Sequence, residues 1–300
     1  MRKLQARRRY RRMAKALAEL DKLDERQGLG APPACPPAAP PPRKRRFRLD
    51  ATAGVALTVV AVFLVLSALR PAPELDETLP PVAPVLPADV SASRILPAVD
   101  PGTTGAHAFL AKRPDGTPVG FDPCRPIHYV VNPAGMPDGG LQIVRDAVAE
   151  IEKATGLAFT EDGVTSEPLT ESREPLQPQR YGDRWAPVLV GWATESQYPP
   201  LSGDVAGIAG PIPYEPSGPA SEYYVSGQVG LDSDWFAEAV TQPEGDAAAR
   251  GVVMHELGHV VGLDHVDEGW EVMNGSSDAV EFGPGDREGL AAVGAGGCRR

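Results

Sequence analysis

The eleven residues His255-Glu256-Leu257-Gly258-His259-Val260-Val261-Gly262-Leu263-Asp264-His265 constrain this chain more than any other stretch. They read H-E-x-x-H-x-x-G-x-x-H. On a helix, His255 and His259 stand at i and i+4, so both imidazoles leave one face a turn apart. Two neutral ring nitrogens so placed can reach one Zn²⁺ at roughly 2.0–2.1 Å. Gly262 can take positive φ, which lets the helix stop and the chain turn back. His265 then approaches as a third ligand. Three protein ligands leave a fourth position open, the arrangement of a catalytic zinc site rather than a structural one. Glu256 follows the first ligand and lies beside the metal, where its carboxylate can take a proton from water. With only 5 histidines in 300 residues, a chance match at five fixed positions is expected on the order of once in a hundred thousand such chains.

The extended motif resembles that of the metzincin metallopeptidases. Two further elements extend the resemblance. Val272-Met273-Asn274-Gly275 stands where that family carries its Met-turn, which makes Met273 an apolar floor beneath the ligands and not a ligand. Phe121-Asp122-Pro123-Cys124-Arg125-Pro126-Ile127-His128-Tyr129-Val130-Val131-Asn132 looks like the first strand of a matrixin-type catalytic domain. Residues 141–157, apolar at helical spacing, look like its first long helix. Residues 284–293 resemble its closing helix. The resemblance spans about residues 107–298. It implies an α+β, metzincin-like zincin domain with a mixed twisted sheet, a long zinc-binding helix and a Met-turn.

Other features depart from that family. There is no Pro-Arg-Cys-Gly latency peptide, so activation through a cysteine switch is not carried over. The His- and Asp-rich loop that holds structural zinc and calcium in animal matrixins is not recognisable, which leaves calcium open. Residues 205–210 are placed at the edge strand that lines the cleft. Asn274 stands where related enzymes often have tyrosine, so no tyrosine ligand is expected.

Outside the domain the chain is uneven. Residues 1–48 hold 15 Lys/Arg and 4 Asp/Glu, whereas the whole chain carries net −11. Residues 51–69 (ATAGVALTVVAVFLVLSAL) contain no charge and are long enough to span a bilayer as a helix. Arg43 to Arg46 and Arg48 precede this run, and Glu74, Asp76 and Glu77 follow it. The positive-inside rule therefore places the N-terminus in the cytoplasm and the C-terminal domain outside. A cleaved signal peptide is the rival reading, but it would need an n-region of about 50 residues and an apolar core beyond the usual length. A secreted form stays open on that reading. The basic tail is read as lying against anionic lipid; no nucleic-acid partner is expected. The resulting organisation is a basic tail (1–48), a transmembrane signal anchor (49–70), a Pro-rich linker (71–106) and the zinc peptidase domain (107–300).

Cys124 and Cys298 are the two cysteines on the outer side, so one disulfide is available to the domain. A latency role for Cys124 is disfavoured, because the residue sits in a strand-like segment. Residues 185–192 and 223–231 read as strands. Asp246 is a candidate N-cap for a zinc helix from about 247 to 262. Residues 163–183 and 195–222 read as loops around the cleft. His107 and His128 lack partner spacing and are taken as non-ligands. The expectation is a membrane-anchored extracellular zinc endopeptidase acting on protein or peptide, with one catalytic zinc and Glu256 as base. A non-catalytic, zinc-stabilised cell-surface module is the alternative; Glu256 argues against it, because a structural site needs no base.

Overall fold

The computed structural model describes residues 90–299. The basic tail, the apolar run 51–69 and residues 71–89 lie outside the described residues. Among those described, no helix is long and apolar enough to cross a membrane.

In chain order the elements are β1 (Ala108–Phe109), β2 (Ile127–Asn132), α1 (Gly140–Thr155), β3 (Phe159–Val164), α2 (Pro178–Tyr181), β4 (Val188–Ala193), β5 (Gly207–Tyr214), β6 (Tyr223–Asp232), α3 (Ser233–Ala239), α4 (Gly245–Val261), β7 (Leu263–Asp264) and α5 (Pro284–Gly294). Five strands form one mixed sheet in the order β3-β2-β4-β6-β5. β3, β2, β4 and β6 run parallel, and β5 closes the edge antiparallel to β6. Val131, Val190, Val229 and Leu231 pack with the helices in one core, while β3, at the edge, is half exposed. β4 (VLVGWA) is buried at every position, and its apolar run reflects that. β1 and β7 form a separate two-stranded pair.

α1 is amphipathic. Ile143, Val144, Ala147, Val148 and Ile151 point into the core, at the helical spacing expected from the sequence. α4 is different: most of its length is buried, because it is held between α1 and the sheet strands β5 and β6. The main core joins Val131, Val190, Val229 and Leu231 of the sheet to Ile151, Val253, Leu257 and Leu290 of the helices. A smaller cluster of Ala193, Tyr198, Leu201 and Val205, with Leu169 and Ile208 packed on it, is separate from that core.

The loop after β3 is pinned by a buried ion pair. Arg173 donates to both oxygens of Glu167 (2.8 and 2.9 Å), and Gln177 and Tyr181 donate to the same carboxylate. Burial opposes the Glu167 charge, but these hydrogen bonds outweigh it and hold the carboxyl below its ordinary range. Cys124 and Cys298 form a disulfide with Cα atoms 5.3 Å apart, tying the approach to β2 to the C-terminal end. A covalent loop of 174 residues gives a nominal stabilisation of about 5 kcal/mol by chain entropy, as an upper value.

Several sequence-based expectations need correction. Asp246 is not the N-cap of the zinc helix. Glu244 holds that position in the left-handed region (φ 63°), and Asp246 lies in the first turn, where its charge suits the helix dipole. The reason is the tight approach from α3: a Cβ at Gly245 would stand 1.8 Å from Ala239 O, so the turn closes around a glycine. The segment 195–222 is not all loop, since it contains β5. Within 163–183 the chain makes the short helix α2. β3 escaped the sequence reading; its sequence FTEDGV is half exposed and carries little apolar signal. Residues 91–106, read as linker, pack on the domain. Ser91 and Ile95 donate backbone bonds to Cys124 O and Pro123 O. The Arg94 guanidinium donates to Gly294 O (2.6 Å), Gly296 O (3.0 Å) and Gly156 O (3.2 Å).

Candidate metal centre

The last turns of α4 carry the site. Burial of the helix puts His255 and His259 beneath the surface, with 8% and 7% of their area exposed. Gly262 ends the helix at φ 119°, its N–H donating to Gly258 O and His259 O. A Cβ there would approach Val119 O to 2.8 Å. Beyond this glycine β7 pairs with β1, and His265 comes back over the helix.

The three Nε2 atoms form a nearly equilateral triangle. His255 to His265 is 3.0 Å, and His259 to each of the others is 3.1 Å. The far nitrogens of two rings face carbonyl oxygens: His255 Nδ1 lies 2.7 Å from Val272 O and His259 Nδ1 lies 2.9 Å from Leu263 O. A carbonyl accepts only, so both Nδ1 atoms carry hydrogen and donate. Their Nε2 atoms therefore present lone pairs to one another. Two lone pairs cannot hydrogen-bond, and a cation placed among the three Nε2 atoms would satisfy them. Ligands roughly 2.0–2.1 Å from a tetrahedral zinc are about 3.3 Å apart, so a few tenths of an ångström of opening would seat the ion. The donor set fits.

Electrostatics agree with neutral ligands. Burial, with the neighbouring His259, pushes His255 down to about 3. Burial pushes His259 down to about 4 and lowers His265 as well. Near pH 7 all three are unprotonated and available. Among the described residues, His255, His259 and His265 are the one group of three or more His, Cys, Asp or Glu side chains able to share an ion.

Glu256 is 2% exposed and its carboxylate lies against the start of β5. A Cβ on Gly207 would stand 2.7 Å from Glu256 Oε1, so glycine at 207 leaves the carboxylate its room. Met273 is buried with its sulfur under the helix: a Cβ on Gly258, between the two helical ligands, would lie 2.4 Å from Sδ. The turn bearing Met273 is also tied to the third ligand's segment. Val266 N–H donates to Met273 O (3.2 Å), and the Asn274 side-chain amide donates to Val266 O (2.8 Å).

The structure thus gathers His255, His259, His265, Glu256 and Met273 in one place. Cys124 is away from them in its disulfide. His128 meets Asp162 (2.8 Å), and His107 Nδ1 lies 3.1 Å from Gly105 O. Two residues absent from the sequence reading support the site. Glu271 and Asp286, each 1% exposed, join the Met273 turn to the start of α5. The only available signal was Pro284-Gly285-Asp286, an acidic residue in the first turn of a helix opened by proline.

Compared with known proteins, the chain matches no protein-family model and no curated protein.

Proposed function

We propose that this chain is a zinc-dependent endopeptidase of metzincin type, held on the outer face of a membrane by the apolar segment 51–69. The observation that carries the reading is the triangle of three Nε2 atoms with a buried glutamate next to the first histidine in sequence. His255, His259 and His265 would hold the ion. A zinc bound there supplies Lewis acidity, polarising a carbonyl and lowering the pKa of water toward neutrality.

The chain's own groups supply the rest. Val272 O and Leu263 O fix the tautomers and ring planes of two ligands and raise their basicity. The Glu256 carboxylate accepts a proton from the attacking water and returns it to the leaving amine nitrogen. β5, the open edge of the sheet, begins at the residue that touches Glu256. An extended peptide pairing with that edge would bring its backbone carbonyls past the base.

The deciding experiment uses the full chain and Glu256→Ala side by side, measuring zinc content and hydrolysis of denatured casein. The expected result is one zinc per chain in both, with cleavage reduced at least about a hundredfold in the variant, the scale of a lost general base. Equal cleavage by both would remove Glu256 from the mechanism. One zinc per chain with no cleavage by either would instead favour a zinc-stabilised surface module.

A further inference from the structure

The open edge of β5 is not uniform. Asp232 N–H donates to Ala206 O (2.9 Å), and the register then runs Gly207 to Leu231, Ile208 to Gly230, Ala209 to Val229, Gly210 to Gln228, Pro211 to Gly227 and Ile212 to Ser226. Antiparallel pairs alternate between those that exchange hydrogen bonds and those that do not. Since 206 and 232 form a bonded pair, Ile208, Gly210 and Ile212 turn their N–H and C=O groups toward β6. Gly207, Ala209 and Pro211 turn theirs to the open edge. Gly207 and Ala209 each offer one donor and one acceptor. Pro211 offers only its carbonyl, because proline has no N–H. After the register shift between Ile212 and Pro213, Pro213 lacks a donor too. The metal end of the strand can therefore pair fully with an added chain, and the far end cannot.

We infer that β5 recognises the main chain of an extended peptide substrate only from Gly207 to Pro211, and that Pro211 and Pro213 end recognition on the side N-terminal to the cut bond. The inference rests on the endopeptidase reading above. We take the peptide as antiparallel to β5: with Glu256 at the reacting end beside Gly207, its upstream residues face Ala209 and then Pro211. Substrates need a short extended segment before the cut; beyond Pro211 the register shift between Ile212 and Pro213, together with the second missing donor, breaks the ladder. Prolines on an exposed edge also discourage edge-to-edge association, and the same missing donors account for both effects.

The test begins with cut sites mapped in denatured casein by the zinc-loaded full chain. Synthetic peptides spanning one site are then lengthened one residue at a time on the N-terminal side. kcat/KM is expected to rise about two- to tenfold per hydrogen bond formed, as far as the residue facing Pro211, about five residues before the cut, and to stay flat beyond it. In Pro211→Ala, with zinc content and melting temperature confirming the fold, peptides that reach the residue facing position 211 should gain a further increase of the same size, from the restored N–H. A second probe avoids mutation: N-methylation of the peptide residue facing Ala209 should lower kcat/KM, and N-methylation upstream of Pro211 should not. A parent profile that keeps rising past Pro211, or equal sensitivity at both N-methylated positions, overturns the inference and leaves the peptidase reading intact. No casein cleavage by a chain carrying one zinc overturns both.

Discussion

Glu271 and Asp286 each cap the backbone of the segment next to the other. Glu271 accepts from the N–H groups of Gly285 (3.0 Å) and Asp286 (2.9 Å) at the start of α5. Asp286 accepts in return from Val272 (2.6 Å), Met273 (3.1 Å) and Gly283 (2.9 Å). Val272 C=O, which accepts from His255 Nδ1, shares its peptide unit with the Met273 N–H held by Asp286, so the carboxylate reaches His255 through one peptide unit.

Asp286→Ala would leave buried backbone N–H groups of Val272 and Met273 without an acceptor. Each such group costs about 1–3 kcal/mol. A loss of roughly 2–5 kcal/mol is expected, with weaker zinc binding because the carbonyl that orients His255 is no longer fixed. Thermal unfolding and a competitive zinc titration measure the two effects. A variant with parental stability and zinc affinity would show that the clamp has no such role.

Gly207→Ala tests the fit between β5 and Glu256, the proposed base. The added methyl would stand 2.7 Å from Glu256 Oε1, so the carboxylate must move. Displacing a reacting group by about 1 Å can cost on the order of 100-fold in rate. Zinc content is expected to stay at the parental level while kcat falls about 10- to 100-fold. Loss of zinc along with activity would place the effect at the ligands instead.

The metal-free protein should lose stability on acidification. The histidine pKa values are depressed in the folded state, to about 3 for His255 and about 4 for His259, from 6.5 in a free chain. His265 is depressed too. Between those limits the unfolded chain binds more protons, so the stability present above pH 6.5 is lost as pH falls. Asp286 works in the opposite sense. Burial first, with the charge of Glu271 adding to it, raises its carboxyl to about 6 from 3.8. Its contribution is thus present below 3.8 and lost as pH rises through 6. Three imidazoles outweigh one carboxyl, so denaturant unfolding of chelated protein should show stability falling from pH 7 to 5. The fall should be steeper in Asp286→Ala, where the offsetting group is gone. A flat profile would contradict burial of neutral imidazoles.

Truncation before residue 107 should weaken the domain. It removes the Arg94 guanidinium, which binds carbonyls at the ends of α5 and α1, together with the backbone bonds of Ser91 and Ile95. Hydrogen bonds from a charged donor contribute about 1.5–3 kcal/mol. Residues 107–300 are expected to unfold at least about 2 kcal/mol more easily than residues 90–300. Arg94→Ala in the longer form should reproduce much of the difference. Equal stability of the two lengths would make the segment a passive linker.

Much of the site was readable because its parts are close in sequence. His255 and His259 share a helix face by spacing alone, and Gly262 marks the turn that returns His265. The amphipathic repeat of α1 and the apolar runs of β4 and β6 were legible for the same reason: their burial follows the local period. β3 was not legible, because an edge strand with one exposed face need not be apolar. The start of α4 was misplaced because Glu244 occupies a left-handed conformation that its side chain does not advertise. The packed segment 91–106 was hidden by its prolines, which read as spacer whether or not the chain lies on a surface.

By itself the sequence determined the candidate ligand set, its order along the chain and the pairing available to Cys124 and Cys298, since these depend on residue identity and short spacings. Only the tertiary structure decided which groups stand around the ligands. Gly207 against Glu256, Met273 under Gly258, and Glu271 opposite Asp286 are contacts between residues about 15 to 50 apart in the chain. No local periodicity encodes such contacts. They exist because burying α4 between α1 and the sheet leaves each polar group on its path one place to find a partner, and each methyl-sized gap one neighbour to fill it.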